Sequence, residues 1–244
     1  MSNLTTLTRL GFYGILSSIS LLPARAQHYR HVALWTRLTP SVDVSKRLTL
    51  SADFYFRQQN DPRNSRFNLI DAPLTRAVRV GATYRIGNWA LYLSPLTLFR
   101  SYAPLGKPAD YAKPPNREYR VVLTGEWGRL LTRRLALRLR SGYEFRHFRE
   151  TGNAGRLRFR ALVRYGLPRH YFTTAWNETL LLAPPHLPNG WHALDINRSA
   201  LSLGRDLTKH LTVEGGYQFS YRQRRTLTEV DEEHALSLAL FVKW

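Results

Sequence analysis

The chain holds 244 residues with no cysteine, 36 Lys plus Arg against 17 Asp plus Glu, and a formal net charge of +19. An average hydropathy below zero excludes a bundle of membrane helices, and the lack of cysteine excludes a disulfide-stapled scaffold. Arginine supplies 31 of the 36 basic residues, a bias toward charges held in fixed, multiply hydrogen-bonded geometry rather than the mixed Lys and Arg surface of a nucleic-acid binder.

At the amino terminus Arg9 closes a short basic region. The apolar run Leu10 to Pro23, interrupted by Gly11, Gly14 and serines, is too short to span a bilayer as a helix, and Ala24-Arg25-Ala26 reads as an A-x-A cleavage site at Ala24 and Ala26. Residues 1–26 are therefore expected to be a cleaved secretory signal peptide, and 27–244 one domain. Period-two segments then recur at 32–44, 47–58, 74–86, 89–101, 117–128, 134–149, 156–167, 171–182, 195–206, 210–224 and 234–244. Short connections (Ser45-Lys46, Gly87-Asn88, Leu130 to Arg133, Pro168-Arg169-His170, Thr208-Lys209) alternate with long ones. The long loops run from Gln59 to Pro73, Ala103 to Asn116, Glu150 to Gly155, Ala183 to Leu194 and Arg225 to Glu233. Turns on one side and loops on the other mark a transmembrane antiparallel up-and-down β-barrel, with periplasmic turns and extracellular loops. Bacterial barrels of one chain have even strand numbers, so about twelve strands are expected, with ten as the alternative. The unassigned strand is sought around Gln27 to Leu38 or after Gln59.

The two faces of these segments differ in chemistry. One carries series such as Leu48, Leu50, Ala52, Phe54 and Phe56, or Leu157, Phe159, Ala161, Val163 and Tyr165, with no charge among them. The other carries Asp53, Arg57, Arg79, Arg120, Glu126, Arg138, Arg140, Glu144, Arg146, Arg158, Arg160, Arg164, Arg198, Glu214 and Arg222. Arg85, Glu118, Arg156, Glu178 and Arg224 share that face. A lipid-facing charge at mid-depth costs about 2–4 kcal/mol, so the charged face is expected to line an aqueous lumen. Its arginines outnumber its carboxylates, which requires water or anions inside. At the carboxyl end Leu236, Leu238, Leu240, Val242 and Trp244 share one face of the last strand, opposite Ala235, Ser237, Ala239 and Lys243, with Phe241 as the exception. They resemble the C-terminal insertion signal of outer-membrane barrels.

The segments Glu126-Trp127, Tyr143-Glu144-Phe145-Arg146, Arg156-Leu157-Arg158-Phe159-Arg160, Asn177-Glu178, Asn197-Arg198 and the strand from His234 resemble an uncharacterised family. It comprises bacterial outer-membrane β-barrels and is a domain of unknown function of the 2490 type. Trp35, the stretch from Leu48 to Arg57 and Gln58-Gln59-Asn60 are similar to its opening hairpin. The resemblance implies an outer-membrane barrel and implies no activity and no catalytic residue.

Enzyme constellations are lacking. There is no G-x-S-x-G, no H-E-x-x-H and no Gly-rich phosphate loop before a helix. Ser141 and His147 are the nearest Ser and His pair, but alternation points both outward and no third residue orients them. Glu229, Asp231, Glu232, Glu233 and His234 read as an acidic loop that partners Arg222, Arg224 and Arg225 at the mouth, in preference to a cation or protease site. His186, His192 and Asp195 have a loosely metal-like spacing too sparse for zinc. No catalytic, cofactor-binding or metal residue is expected. The expectation is a non-enzymatic outer-membrane barrel of a Gram-negative bacterium, whose Arg-rich hydrated lumen is structural or admits small anions. An anion-preferring porin-like channel and a barrel hydrolase are the alternatives. Outer-membrane lipid, the barrel assembly machinery during biogenesis and small anions are its expected partners; nucleic acid is not.

Overall fold

The computed structural model describes residues 27–149, 152–184, 186–187, 190–191, 193–224 and 228–244. The signal segment, with Ala24 and Ala26, lies outside them. Eleven strands close into one barrel: β1 (Gln27–Asp43), β2 (Leu48–Gln59), β3 (Ala72–Ile86), β4 (Trp89–Ser101), β5 (Asn116–Leu130), β6 (Leu135–Phe148), β7 (Gly152–Gly166), β8 (Tyr171–Ala183), β11 (Leu194–Asp206), β12 (Leu211–Gln223) and β13 (Glu229–Lys243). The pairs β9 (His186–Leu187) and β10 (Gly190–Trp191) form a separate small hairpin, and a one-turn helix α1 (Pro108–Tyr111) lies between β4 and β5. Sequential strands pair antiparallel, the meander that the alternation of turns and loops predicts.

Closure comes from β1 and β13, which pair in parallel over fifteen positions, from Gln27↔Glu229 to Ser41↔Lys243. A parallel seam is what an odd number of up-and-down strands requires at closure, and the barrel holds eleven, within one of the expected number. The region Gln27 to Leu38 is no extra strand but the first two thirds of β1, and residues 60–71 after Gln59 are a loop. An odd count places Gln27 at the long-loop rim and Trp244 at the short-turn rim. Both seam strands start earlier than periodicity predicts, because their upper residues are polar and matched across the seam. His28 Nδ1 lies 2.6 Å from Glu232, Arg30 Nε 2.8 Å from the same carboxylate, and His31 Nε2 3.2 Å from Glu233.

Strands of 12 to 17 residues exceed the nine to eleven that cross the hydrocarbon when tilted, so their ends stand in the headgroup region or beyond. The outer face is apolar, with Leu98, Leu123, Leu139, Phe159, Leu203 and Leu238 all exposed. The short turns follow local rules. Gly87, in the two-residue hairpin between Ile86 and Trp89, takes φ +55°, as the twist-matched turn requires. Arg169 and His170 adopt positive φ without being glycine, a strained pair held by the Leu167 N–H to Tyr171 carbonyl bond of 2.8 Å.

Candidate functional site

Alternation along each strand turns the charged face inward, onto a cavity of about 920 Å³. Of the residues expected on the lumen, Arg57, Arg79, Arg120, Arg140, Arg146, Arg158, Arg160, Arg198, Glu214 and Arg222 line it directly. Asp53, Glu126 and Glu144 stand behind lining guanidinium groups. Asp53 accepts from Arg37 at 2.7 Å, Glu126 from Arg140 at 2.6 Å, and Glu144 from Arg158 at 2.6 Å. Arg138 and Arg164 sit toward the short-turn end, Arg138 3.8 Å from Glu126 and Arg164 3.5 Å from Asp206.

The two walls of the lumen differ. Strands β5, β6, β7, β8 and β11 carry a ladder of ion pairs. Glu118 joins Arg120 and Arg146, each at 2.5 Å. Glu144 joins Arg156 at 2.5 Å and Arg158 at 2.6 Å, with Arg120 at 3.6 Å. Glu178 joins Arg158 at 2.5 Å and Arg198 at 3.7 Å, and Asp195 joins Arg156 at 2.8 Å. Charge-assisted contacts of this length fix side chains as a rigid lattice.

The opposite wall, on β1, β2 and β3, holds Arg37 through Asp53 but backs its other arginines with aromatic rings. The Arg57 guanidinium lies 3.4 Å from the Trp35 ring centroid, and Arg198 reaches the same ring at 5.3 Å. Arg37, Arg57 and Arg79 surround Tyr55 at 5.3, 5.9 and 5.5 Å. On the first wall Arg160 covers Trp176 at 4.6 Å. Such contacts orient a cation without neutralising it. Arg57, Arg79 and Arg160 form no ion pair among the described residues, and the Nε of each is buried without a hydrogen-bond partner.

The long-loop mouth is crossed by the β4–β5 connection, residues 102–115, which starts on one side of the ring and anchors near the other. Lys107 Nζ meets Glu229 at 2.5 Å, while Arg224 meets Asp110 at 3.1 Å and Asp231 at 2.6 Å. Gly106 stands over Tyr29, where an added Cβ would fall 2.7 Å from the ring-bearing carbon, so only glycine lets this strap lie against β1. The fully buried Gln59 donates to the Ala103 carbonyl at 2.9 Å and accepts from the Leu105 N–H at 3.1 Å. Tyr111 donates to Asp61 at 2.7 Å, tying the strap to the β2–β3 loop. Burial works against the Asp110 carboxylate, yet bonds from Lys113 and Arg224 outweigh it and hold its pKa at about 2. The bond from Arg63 is the main cause of the depressed pKa of Asp61.

Sequence reasoning missed several of these groups. Trp35, Arg37 and Tyr55 belong to the wall, and strict alternation from Arg57 back through β2 and across to β1 would have placed them. Asp195 is not part of a metal-like loop but an inward residue of β11 bound to Arg156; His192 and the side chain of His186 lie outside the described residues. Glu229 to Glu233 are the top of β13 rather than a loop. Asp231 partners Arg224 as expected, whereas Glu233 is buried against His31 and Glu232 faces outward to His28 and Arg30. Ser141 and His147 are exposed and outside the cavity lining, with His147 bonded to Asn153 at 2.7 Å. Among the described residues no group of three or more His, Asp and Glu is placed to hold a metal ion.

A closed meander with an apolar exterior and an ion-paired, arginine-lined interior defines a β-barrel of the outer-membrane type. Over residues 32–231 the chain matches a family described as Protein of unknown function (DUF2490), and it belongs to that family. The solved structure of the NanC porin in a rhombohedral crystal form shares the fold, with a TM-score of 0.52 at 13% identity, covering 87% of this chain and 97% of that one. No curated protein matches the chain.

Proposed function

We propose that this protein is a non-enzymatic barrel of the Gram-negative outer membrane whose lumen admits small anions. The observation that carries this reading is the set of lumen guanidiniums on Arg57, Arg79 and Arg160, which lack carboxylate partners among the described residues and border a cavity of about 920 Å³. Fixed positive groups inside low-dielectric walls raise the local anion concentration and exclude cations. The porin-like fold, the family and the A-x-A segment support the location. The face formed by Leu236, Leu238, Leu240, Val242 and Trp244 supports insertion by the barrel assembly machinery. A second reading, a barrel shut at its mouth, is favoured by the strap of residues 102–115.

Planar bilayers test both readings. Under a KCl gradient the wild type shows steps whose reversal potential lies toward chloride, and R57Q/R79Q/R160Q moves it toward zero. Cation selectivity in the wild type refutes the anion reading. The absence of steps in the wild type, with steps appearing once the strap is cut, selects the shut barrel.

A further inference from the structure

Most arginines inside the barrel have carboxylate or aromatic partners, yet four on the outside form a line with no carboxylate partner among the described residues. Arg76 on β3 is directly opposite Arg100 on β4, which is directly opposite Arg117 on β5. Arg149, just past β6, continues the line, its N–H bonded to the Arg117 carbonyl at 3.2 Å. Alternation turns all four outward with Val78, Leu98 and Tyr119, and all four are exposed. None forms an ion pair among the described residues; Arg100 only approaches the Tyr102 ring, at 5.4 Å.

Like charges directly opposite on neighbouring strands repel. At about 4.8 Å between strands the four guanidiniums span on the order of 14 Å, with no carboxylate among the described residues paired with any of them. The line sits at the long-loop ends of the strands. Immediately beneath it, toward the barrel's middle, comes the outward row Val78↔Leu98↔Tyr119, the first two 41% and 53% exposed. A ligand that satisfies both rows is anionic at one level and carries apolar chains at the next.

We propose that Arg76, Arg100, Arg117 and Arg149 are a docking row for the phosphate groups of a membrane lipid in the leaflet on the long-loop side, with its acyl chains on the row beneath. In an outer membrane that lipid is the phosphorylated glycolipid of the outer leaflet. Guanidinium groups bind phosphate oxygens through paired, planar hydrogen bonds. One lipid bridging neighbouring arginines converts their mutual repulsion into a shared contact. The inference rests on the outer-membrane reading, but its test measures lipid binding and not conductance or location, so either can fail alone.

Full-length protein in neutral detergent is offered bisphosphorylated lipid A or the same lipid stripped of phosphate, and retained lipid is counted by native mass spectrometry. The wild type holds the phosphorylated form and releases the stripped one. Each basic side chain at an anionic surface contributes about fivefold, so R76Q/R100Q/R117Q/R149Q weakens retention by roughly several hundredfold. R129Q/R205Q, which removes two outward arginines from non-adjacent strands at the other rim, keeps it. Equal retention of the two lipids by the wild type, which needs no variant to fold, overturns the proposal. So does undiminished retention by the quadruple variant, or displacement by millimolar inorganic phosphate as effective as by the lipid.

Discussion

Glu144 is completely buried and its carboxylate is shared by three guanidiniums: Arg156 through Nε at 2.8 Å and Nη2 at 2.5 Å, Arg158 at 2.6 Å and Arg120 at 3.6 Å. Glu144→Gln preserves the shape and one acceptor oxygen but removes the charge that separates these cations. Removing one partner of a buried pair costs about 3–5 kcal/mol. Arg156 keeps Asp195 at 2.8 Å and Arg158 keeps Glu178 at 2.5 Å, so the loss is expected at the lower end, about 3 kcal/mol. Glu126→Gln is the matched comparison. Its partners Arg140 and Arg138 are 36% and 49% exposed in their side chains; water replaces the lost contact there, and the cost is about 1 kcal/mol or less. Equilibrium urea unfolding of barrels refolded into lipid vesicles, followed by tryptophan fluorescence, separates the two. E144Q lowers the midpoint strongly and E126Q barely moves it. Sulfate restores part of the loss in E144Q alone, because a divalent oxyanion can sit between the freed guanidiniums. Equal losses in the two variants refute the ion-pair lattice as the support of this wall.

Three further outcomes follow from the same placement. Leu139→Arg puts a charge on the outer face at mid-strand of β6 and costs about 2–4 kcal/mol; folding yield into vesicles falls, and undiminished yield shows that this face does not meet lipid. The pKa of Asp110, about 2 in the docked strap, lies below the value near 3.9 of the free side chain. Its contribution is therefore complete above about pH 4 and lost as pH falls through about 2, so protease cleavage within residues 102–115 rises over that window in the wild type and is already high in D110N. A flat profile in the wild type rules out the carboxylate as the latch. Deleting Trp244 slows assembly into outer membranes, measured by the heat-modifiable band on gels, while unassisted refolding into vesicles changes little; unimpaired assembly in cells removes the insertion-signal role.

The barrel class was legible because side-chain sidedness follows directly from a period of two. Leu48 to Phe56 and Leu157 to Tyr165 could not share a face with Arg57 or Arg158 in any register, so one slip would have reversed every strand. The seam was not legible. Residues 27–31 and 229–233 carry His, Arg, Asp and Glu on both faces, so periodicity fades there, although the backbone pairs without interruption. Their charges are complementary across a contact that joins positions two hundred residues apart, and no local window displays it. The strap escaped notice for a similar reason. Lys107, Asp110 and Lys113 look like ordinary loop charges until closure of the ring brings Glu229 and Arg224 within reach.

Those missed residues change where the positive charge of the lumen resides. Counting only the strand positions first assigned to the interior makes Arg138, Arg140, Arg158 and Arg160 equivalent contributors. The carboxylates separate them: Arg138 and Arg140 share Glu126, and Arg158 is held by Glu144 and Glu178, so three of the four are paired at close range. Arg160 remains, and with it Arg57 and Arg79 across the lumen, stacked on Trp35 or Tyr55. An aromatic face holds a guanidinium in place while leaving its charge intact, whereas a carboxylate holds it and cancels it. The field felt by a solute thus comes from the wall where β1, β2 and β3 meet, from Arg160 facing it, and from Arg222 on β12, which lines the cavity and forms no ion pair among the described residues. Neutralising the ion-paired ladder would weaken the barrel long before it changed which ions the lumen accepts, and neutralising the aromatic-backed arginines would do the reverse.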